Sequence, residues 1–331
     1  MSDRRVVVTQ RFFDEATISY LRENGCEVVI ADLPPGQADG GLDHDTLVEA
    51  LAGAAGWIVG HAKVTRELQQ ALPDLKIISR RGVGYERVDL DAARDLGKVV
   101  CIAAGGNDAS VADHTLALML AVGHRFRETQ AKMIDGDFSI LTGRDLFEST
   151  VGIIGMGRIG RSVAQRLQGF DCRILAVTQG DLPEATPANV KVTDLDTLVR
   201  ESDYVTVHAP LTEATRFLFD AERIARMKPG SFLINAARGG LVDDRALLAA
   251  LKKGTIAGAG LDVYLSESDA SYREVTQELI ALPNVIATPH AAASTQEGLA
   301  RTNMVAARSV VAVLDGKDPA PETVVADGRP R

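Results

Sequence analysis

The sequence predicts an α/β fold with two units, each a Rossmann-like, doubly wound parallel sheet with helices on its faces. First, short apolar segments alternate with segments of helical periodicity over the first hundred residues and again from Thr150 onward, a pattern typical of parallel sheets. Second, a glycine-rich turn joins an apolar strand to a helix within residues 151–160. Third, 331 residues are enough to form two domains.

The glycine-rich turn has the spacing of a dinucleotide-binding motif. Residues 151–160 read Val-Gly-Ile-Ile-Gly-Met-Gly-Arg-Ile-Gly, and the helix that follows has apolar residues at helical spacing. The first glycine of the triplet permits the tight turn, the second lets a pyrophosphate approach, and the third lets the helix pack on the strand. The helix N-terminus offers unpaired N–H groups to phosphates. The predicted loop consists of Gly155, Gly157, Arg158, Ile159 and Gly160.

In the first unit, β-branched apolar runs predict strands and helical spacing predicts helices. The helices are expected to end near Gly25, Pro73 and Gly97, because glycine and proline terminate helices. A loop is expected at Pro34, Pro35 and Gly36. The predicted strands are 6–9, 26–31, 57–59, 76–79 and 98–102, and the predicted helices are 15–24, 45–52, 65–72 and 91–96.

The second unit begins, on this interpretation, with one long helix over residues 109–134, where apolar positions are dense. Strands are predicted at 151–154, 173–177, 190–192, 204–207, 232–235, 256–261 and 285–288, with helices between them. A second long helix is predicted over residues 294–314. The tail from residue 315 onward is polar and carries three prolines, so we expect it to be loosely held.

Composition narrows the class of protein. The formal net charge of −9 argues against binding to nucleic acid, whose phosphates would repel it. Cys26, Cys101 and Cys172 are widely spaced, so neither a disulfide framework nor a cysteine zinc site is expected, and no metal is predicted. The N-terminus lacks the apolar core of a signal peptide, and no apolar run is long enough to cross a bilayer. A cytoplasmic protein without a membrane partner is therefore expected.

Polar side chains follow three of the late predicted strands. These strands lead to Arg238, to Asp262 and Glu267, and to His290. Ligands of parallel sheets bind beyond the carboxyl ends of the strands, so we expect these side chains at one rim beside the cofactor. Arginine can grip a substrate carboxylate, histidine can exchange a proton near neutral pH, and a carboxylate can hold the imidazole and favour its protonated form. This trio suits hydride transfer to a keto acid.

Several short motifs accompany the glycine turn in a fixed order. They are Gly82-Val83-Gly84-Tyr85 with Val88-Asp89, Ser110-Val111-Ala112-Asp113-His114-Thr115, His208-Ala209-Pro210-Leu211-Thr212, Lys228-Pro229-Gly230, Asn235-Ala236-Ala237-Arg238-Gly239-Gly240, Gly260-Leu261-Asp262-Val263 and Thr288-Pro289-His290. Through these motifs the chain resembles the D-isomer-specific 2-hydroxyacid dehydrogenases over nearly its whole length.

The resemblance implies roles for the trio and its neighbours. Arg238 would bind the substrate, His290 would be the acid/base, and Glu267 would be the partner of that histidine. The substrate carboxylate would be held by backbone N–H groups of Gly82, Val83 and Gly84. Asp262 would bind the nicotinamide side of the cofactor. The remaining cofactor contacts are predicted at His114, Thr178, His208, Ala209, Pro210, Ala236 and Ala237.

The resemblance also implies a domain plan. A flavodoxin-like substrate domain would be discontinuous, comprising residues 1–103 and 291–331. An NAD(P)-binding Rossmann domain of residues 104–290, including the long linking helix, would be inserted into it. A homodimer formed through the coenzyme domain is expected of such a protein.

The choice between NAD and NADP depends on the end of the second strand of the Rossmann domain. NAD-binding domains carry an acidic residue there, which binds the ribose hydroxyls. Here Thr178 occupies that place, eighteen residues beyond Gly160. A 2′-phosphate is therefore admissible, although no arginine or lysine follows directly and Asp181 is near. We expect NAD(P), with a slight preference for NADP.

The first unit carries cations on loops that should face the substrate. His61, Lys63, Arg80 and Arg81 could bind a second acidic group such as a phosphate, or could face solvent. The predicted substrate is a small 2-keto or D-2-hydroxy acid of the hydroxypyruvate, glyoxylate or 3-phosphoglycerate type, with His61 and Arg81 contributing to its binding. Two alternatives stay open: a nucleotide-sensing, corepressor-like binding protein, and a formate or phosphite dehydrogenase on the same fold.

Overall fold

The computed structural model describes residues 4–33, 38–180, 182 and 186–330, and the chain divides into two compact units. Unit 1 contains Met1–Asn107 and Thr295–Arg331, and unit 2 contains Asp108–Ser294. Each division lies four residues beyond the cut expected from the sequence. The predicted loop at Pro34, Pro35 and Gly36 lies outside the described residues, as does Asp181.

Thirteen strands are found in the described part of the chain, and most match the apolar runs of the sequence. Their bounds, in chain order, are β1 Arg5–Val8, β2 Glu27–Ile30, β3 Gly56–Val59, β4 Ile77–Arg80, β5 Val99–Ile102, β6 Thr150–Ile154, β7 Arg173–Val177, β8 Val190–Val192, β9 Tyr204–Val207, β10 Phe232–Asn235, β11 Gly258–Leu261, β12 Val285–Ala287 and β13 Val324–Asp327.

Twelve α-helices occur within the same described residues. Many begin at an aspartate or threonine whose side chain accepts a hydrogen bond from a first-turn N–H, as Asp14, Asp43 and Thr295 do. The helices are α1 Glu15–Glu23, α2 His44–Ala50, α3 Arg66–Ala71, α4 Leu90–Asp95, α5 Asp108–Gly123, α6 Phe126–Ile134, α7 Arg158–Leu167, α8 Leu195–Glu201, α9 Ala221–Ala225, α10 Asp244–Lys253, α11 Arg273–Ala281 and α12 Gln296–Leu314.

Unit 1 is built on a six-stranded sheet in the order β13-β5-β4-β3-β1-β2, in which β1 to β5 pair in parallel. One face packs against α2 and α3 through Leu47, Leu51 and Leu68, and the other packs against α1 and α12 through Leu21 and Val310. Helices therefore cover both faces of the sheet, which explains why its strands read as continuous apolar runs.

Unit 2 contains a seven-stranded, fully parallel sheet in the order β12-β11-β10-β9-β6-β7-β8. Read from β8, this is the 3-2-1-4-5-6 order of a doubly wound dinucleotide fold with one further strand. Helices α5 and α7 bury Met119 and Leu167 on one face, and α8, α10 and α11 cover the other. The predicted fold class is confirmed: both units are doubly wound α/β structures.

The expectation of a single helix over residues 109–134 is wrong. Helix α5 ends at Gly123 and α6 begins at Phe126, because Arg125 adopts a left-handed backbone with φ 57°. The Gly123 carbonyl accepts a hydrogen bond from the Arg144 N–H at 2.9 Å. A Cβ at Gly123 would lie 2.3 Å from the hydroxyl oxygen of Tyr204. Packing against residues distant in sequence therefore breaks a helix that local periodicity would continue.

The expectation of a loosely held tail is also wrong. Strand β13 pairs antiparallel with β5, with Ala326 opposite Val100, and covers an edge of the unit 1 sheet that would otherwise be open. The Lys98 carbonyl accepts a hydrogen bond from the Gly328 N–H at 3.0 Å. Arg329 forms ion pairs with Asp318 and Asp327, each at 2.7 Å. The tail is thus an integral strand of unit 1.

We predict that Ala326→Asp destabilises unit 1 by about 3 kcal/mol, because it places an unpaired carboxylate in a buried position. Ala326 is 3% exposed and belongs to the core on the α2 and α3 face. Urea unfolding followed by circular dichroism measures the loss. Glu322→Asp, at an exposed position just before the strand, is the control and should leave the midpoint unchanged. Equal midpoints for the two variants would contradict the assignment of β13 to the core.

Candidate active site

The glycine-rich turn lies at the carboxyl end of β6, between that strand and α7. Gly155 has φ 97°, and a Cβ there would lie 2.7 Å from the carbonyl carbon and oxygen of His208. A Cβ at Gly160 would lie 2.0 Å from the Gly155 carbonyl oxygen, so only glycine permits this approach of helix to turn. A Cβ at Gly157 would meet no described atom within 4 Å. The N-terminus of α7 thus opens onto space beside Arg158 and Ile159.

Two neighbouring strands bring further predicted cofactor contacts to the same edge. Thr178 directly follows β7, and His208 directly follows β9, next to Ala209 and Pro210. The His208 Nε2 atom lies 2.9 Å from the Thr206 hydroxyl oxygen. Burial lowers the pKa of His208 to about 4, so the ring is neutral at physiological pH. Its Nδ1 atom is buried and has no hydrogen-bond partner among the described residues.

Glu267 and His290 form a directly bonded pair. The His290 Nδ1 and Glu267 Oε2 atoms are 2.7 Å apart, and Glu267 Oε1 accepts a hydrogen bond from the Tyr264 N–H at 2.8 Å. The hydrogen bond to Glu267 raises the pKa of His290, although burial and the charge of Arg238 oppose this rise. Both side chains are about two-fifths exposed, at 41% and 40%. The pair therefore combines a fixed imidazole with access to a ligand.

Asp262 fixes the turn that carries His290. His290 has a left-handed backbone with φ 54°, which costs a residue other than glycine about 1 kcal/mol. The Asp262 carbonyl accepts the His290 N–H at 2.8 Å, and its fully buried carboxylate accepts the N–H groups of Ala291 at 2.8 Å and Ala292 at 3.0 Å. The Thr288 hydroxyl donates to the same carboxylate at 2.6 Å. One buried side chain thus holds the turn on both sides of the histidine.

His114 joins this network from helix α5. Its Nε2 atom lies 2.9 Å from the Thr288 hydroxyl oxygen and 3.6 Å from the Asp262 carboxylate. His114 therefore lies beside Thr288 and Asp262, which hold the turn of His290. Thr288 links His114 to Asp262; it was named from the sequence within the Thr288-Pro289-His290 motif but was assigned no role. Its position directly after β12 is a signal that could have indicated one.

Arg238 follows β10 and is held close to the same turn. Its Nη1 atom donates to the Ala237 carbonyl at 2.7 Å, and the Asn235 side-chain amide donates to the Arg238 carbonyl at 3.0 Å. A Cβ at Gly239 would lie 2.1 Å from the Tyr264 carbonyl oxygen, so the loop that carries Ala236 and Ala237 packs on the segment leading to Glu267. Unit 2 thus brings Arg238, Glu267 and His290 together, as the strand ends predict.

The candidate substrate residues of unit 1 lie at the carboxyl ends of β3 and β4. The loop of Gly82, Val83 and Gly84 is held by Arg80, whose Nε atom donates to the Gly84 carbonyl at 2.8 Å. Arg81 donates to the Arg11 carbonyl at 3.0 Å, and burial lowers the pKa of its guanidinium. His61 follows β3 and is exposed. These residues form a separate group of candidate substrate contacts within unit 1.

Among the residues that the structure describes, no group of three or more histidine, cysteine, aspartate or glutamate side chains is placed to hold a metal ion. Across the same described ranges, no helix is both long and apolar enough to span a bilayer.

A glycine loop on a parallel sheet of this order, beside a histidine–carboxylate pair and an arginine, defines the class of dinucleotide-binding α/β proteins with an acid/base site. Comparison with known proteins gives the family. Residues 116–292 match the domain described as "D-isomer specific 2-hydroxyacid dehydrogenase, NAD binding domain". The chain belongs to the D-isomer specific 2-hydroxyacid dehydrogenase family.

Named relatives agree with this assignment. The chain is 37% identical over 316 residues to the D-3-phosphoglycerate dehydrogenase of Archaeoglobus fulgidus, covering 94% of this chain but 58% of that relative. It is 37% identical over 334 residues to the glyoxylate reductase of Thermofilum pendens, covering 96% and 94% of the two chains. The structure of a D-lactate dehydrogenase with NAD⁺ from Lactobacillus jensenii superposes with a TM-score of 0.80 at 28% identity, covering 97% and 99%.

A nicotinamide dinucleotide is the cofactor implied by this family, and the residues present fit it. The space in front of Gly157 would allow a pyrophosphate to reach the N-terminus of α7, where the first-turn N–H groups have no acceptor within the helix. The buried, unpartnered Nδ1 atom of His208 offers a hydrogen-bonding position beside the same turn.

We predict that Glu267→Gln lowers the pKa of His290, because the imidazolium loses its bonded carboxylate. In the parent chain this raised pKa keeps the ring protonated at higher pH, and the protonated form is lost as pH rises through the folded-state pKa. NMR titration of the imidazole nitrogens between pH 5 and 9 measures the change. Glu274→Gln, exposed on α11, is the matched control. Coincident His290 titration curves for the parent and Glu267→Gln would contradict the pairing.

Proposed function

We propose that the chain is an NAD(P)-dependent oxidoreductase that interconverts a small 2-keto acid and its D-2-hydroxy acid. The observation that carries this proposal is the Glu267–His290 pair at 2.7 Å, with the charge of Arg238 acting on the same imidazole. The pair lies in the unit that matches the NAD binding domain of the family. Unit 2 would be the coenzyme domain, and unit 1 would be the substrate domain.

His290 is the proposed acid/base. Because its Nδ1 atom is engaged by Glu267, we assign proton exchange with the substrate oxygen to Nε2. Protonated His290 would deliver a proton to the carbonyl oxygen during reduction, and neutral His290 would remove one from the hydroxyl during oxidation. Glu267 holds the tautomer and favours the protonated ring. Reduction is therefore supported below the pKa of His290 and oxidation above it.

Substrate binding is assigned to Arg238 and to unit 1. The guanidinium of Arg238 suits a carboxylate, which it can bind through two parallel hydrogen bonds. In unit 1, the backbone N–H groups of Gly82, Val83 and Gly84 are the proposed carboxylate contacts, with His61 and Arg81 beside them. The held geometry of this loop supports the proposal, because Arg80 fixes Gly84.

The cofactor contacts are proposed along the carboxyl edge of the unit 2 sheet. Bound there, the nicotinamide would exchange a hydride with the substrate. Gly155, Gly157, Arg158, Ile159 and Gly160 would meet the pyrophosphate, His208 and its two successors would line the turn, and Ala236, Ala237, Asp262 and His114 would face the nicotinamide side. Position 178 itself carries threonine and no carboxylate that would repel a 2′-phosphate, which supports the slight preference for NADP.

Homodimerisation is proposed through unit 2. Six large apolar side chains are exposed within residues 126–147, among which Ile140 is 94% exposed. Phe126, Met133 and Ile134 line one shallow groove along α6. Exposed apolar patches of this kind mark interaction surfaces, and a second copy of this chain is the proposed occupant. The other three of the six exposed apolar side chains are Phe138, Ile140 and Phe147.

We propose a cytoplasmic location because the three cysteines are free thiols. Cys26, Cys101 and Cys172 are buried free thiols, and burial raises the pKa of each. Thiols kept in this form suit a reducing compartment. The acidic balance gives no support for a nucleic-acid partner.

The proposed function is tested by following NADH and NADPH oxidation with hydroxypyruvate, glyoxylate and pyruvate. Turnover with at least one keto acid is expected. Arg238→Ala should lower kcat/KM by about 100-fold, about 2.7 kcal/mol, because the substrate carboxylate loses its charged partner. Arg273→Ala removes an exposed arginine from α11 and should leave kcat/KM unchanged.

Three outcomes would count against parts of this proposal. Nucleotide binding without any keto-acid turnover would favour a binding protein. Unchanged kinetics in Arg238→Ala would show that this arginine is misassigned. An efficiency with NADH more than about 100-fold above that with NADPH would overturn the preference for NADP.

The dimer is tested by light scattering. We expect twice the 35.3 kDa chain mass for the parent protein and a shift to monomer in Ile134→Lys/Ile140→Lys, because two charges would be buried at the interface. Val192→Lys, at an exposed apolar position on β8, is the control and should stay dimeric. A monomeric parent protein would refute the proposed interface.

A further inference from the structure

Unit 1 contains a buried carboxylate that the proposed reaction does not use. Asp39 is 0% exposed. One of its oxygens accepts the His61 N–H at 2.7 Å, and the other accepts the Gly60 N–H at 2.7 Å. The second oxygen also accepts the Thr9 hydroxyl and the Gln10 amide, each at 2.9 Å. Four donors from two strand ends thus converge on one negative charge.

The position of Asp39 in the fold is informative. Thr9 and Gln10 follow β1, and Gly60 and His61 follow β3. In the order β5-β4-β3-β1-β2, the chain reverses its winding direction between β1 and β3. Ligands of doubly wound sheets bind at this switch point, outside the carboxyl ends of the strands. The protein therefore places its own carboxylate where such a sheet usually offers backbone N–H groups to a ligand.

Neighbouring side chains support this arrangement. A Cβ at Gly60 would lie 1.7 Å from the Gln10 side-chain nitrogen, so a side chain at position 60 would displace Gln10 from Asp39. The Trp57 indole N–H donates to the Thr9 hydroxyl at 2.9 Å and fixes it beneath Asp39. Trp57 and Thr9 are both fully buried. The carboxylate is thus built into the core at this edge.

The arginines near this edge have hydrogen bonds to backbone carbonyls. Arg87 donates to the His61 carbonyl at 2.7 Å, Arg81 to the Arg11 carbonyl at 3.0 Å, and Arg80 to the Gly84 carbonyl at 2.8 Å. Asp39 also acts on Arg81 through its charge. These side chains hold loops in place, and Arg81 already interacts with an anion of the protein, so a second anion gains less from the three arginines than their number suggests.

We propose that Asp39 is an internal anion that fills the switch point of unit 1 and restricts the substrate to keto acids with one negative group. This inference rests on the proposed function and deepens it. A substrate carboxylate can still bind the Gly82 to Gly84 loop beyond β4. A phosphate on the same substrate would meet the charge of Asp39 in place of the Gly60 and His61 N–H groups. Unphosphorylated acids such as hydroxypyruvate or glyoxylate are therefore favoured over phosphorylated ones.

The kinetic test compares hydroxypyruvate with its 3-phospho ester. The parent protein should favour hydroxypyruvate in kcat/KM by at least about tenfold, the size of one like-charge repulsion. Asp39→Asn and Asp39→Ala should each move this ratio at least about tenfold towards the phospho ester. Asp45→Asn removes one exposed charge from the same segment and should leave the ratio unchanged.

A binding test is independent of turnover. Asp39→Ala leaves the Gly60 and His61 N–H groups facing a space the size of a small carboxylate, so formate should occupy it. The melting temperature of Asp39→Ala should rise in sodium formate relative to sodium chloride at equal ionic strength. The parent protein, whose site is filled, should show no such difference. A chain that stays unfolded in formate, or shows no specific rise, overturns the internal-anion assignment.

The two proposals fail in different ways. If the parent protein reduces no keto acid, the proposed function fails, and the formate experiment still decides whether Asp39 acts as an internal anion. If the parent protein reduces hydroxypyruvate and its phospho ester equally well, the enzyme assignment stands and the specificity role is overturned. An unchanged ratio in folded Asp39→Asn overturns that role as well.

Discussion

The geometry of the candidate site depends on one buried carboxylate, that of Asp262. The carboxylate accepts hydrogen bonds from two consecutive backbone N–H groups and from a hydroxyl. The backbone carbonyl of Asp262 accepts the N–H of His290. These bonds stabilise a left-handed conformation that histidine would not otherwise favour. Without them the imidazole could not be presented to Glu267 in a single orientation. The two acidic residues therefore have separate physical tasks: Asp262 fixes position, and Glu267 sets charge.

A similar device recurs in unit 1, on a separate sheet. Asp39 also lies at the carboxyl ends of parallel strands and also accepts consecutive N–H groups, those of Gly60 and His61. The residues that follow these strands have backbone N–H groups outside the sheet, and leaving such groups buried and unpaired is costly. A short acidic side chain satisfies several of them at once. Such a residue stabilises the edge of the sheet. Its negative charge also disfavours a ligand that places a second anion at the same position.

The sequence was most informative where a rule of geometry links residues to position. Strand ends of a parallel sheet share an edge, so Arg238, Glu267 and His290 could be predicted to meet although they are distant along the chain. The glycine spacing located the turn before α7 for the same reason. The helix break at Arg125 and the pairing of β13 could not be predicted this way. Both depend on contacts between segments far apart in sequence, which local periodicity does not encode.

Asp39 shows the same limit at the level of a single side chain. It lies in a polar, glycine-containing segment, with no periodic pattern and no motif to distinguish it from Asp43 or Asp45. Only the fold reveals that it is buried while Asp43 and Asp45 are exposed. The cations in its neighbourhood suggested a phosphate site when counted along the sequence. Once their carbonyl partners and the buried anion are included, the same region favours a substrate with a single carboxylate, because attraction depends on the charge left after internal pairing.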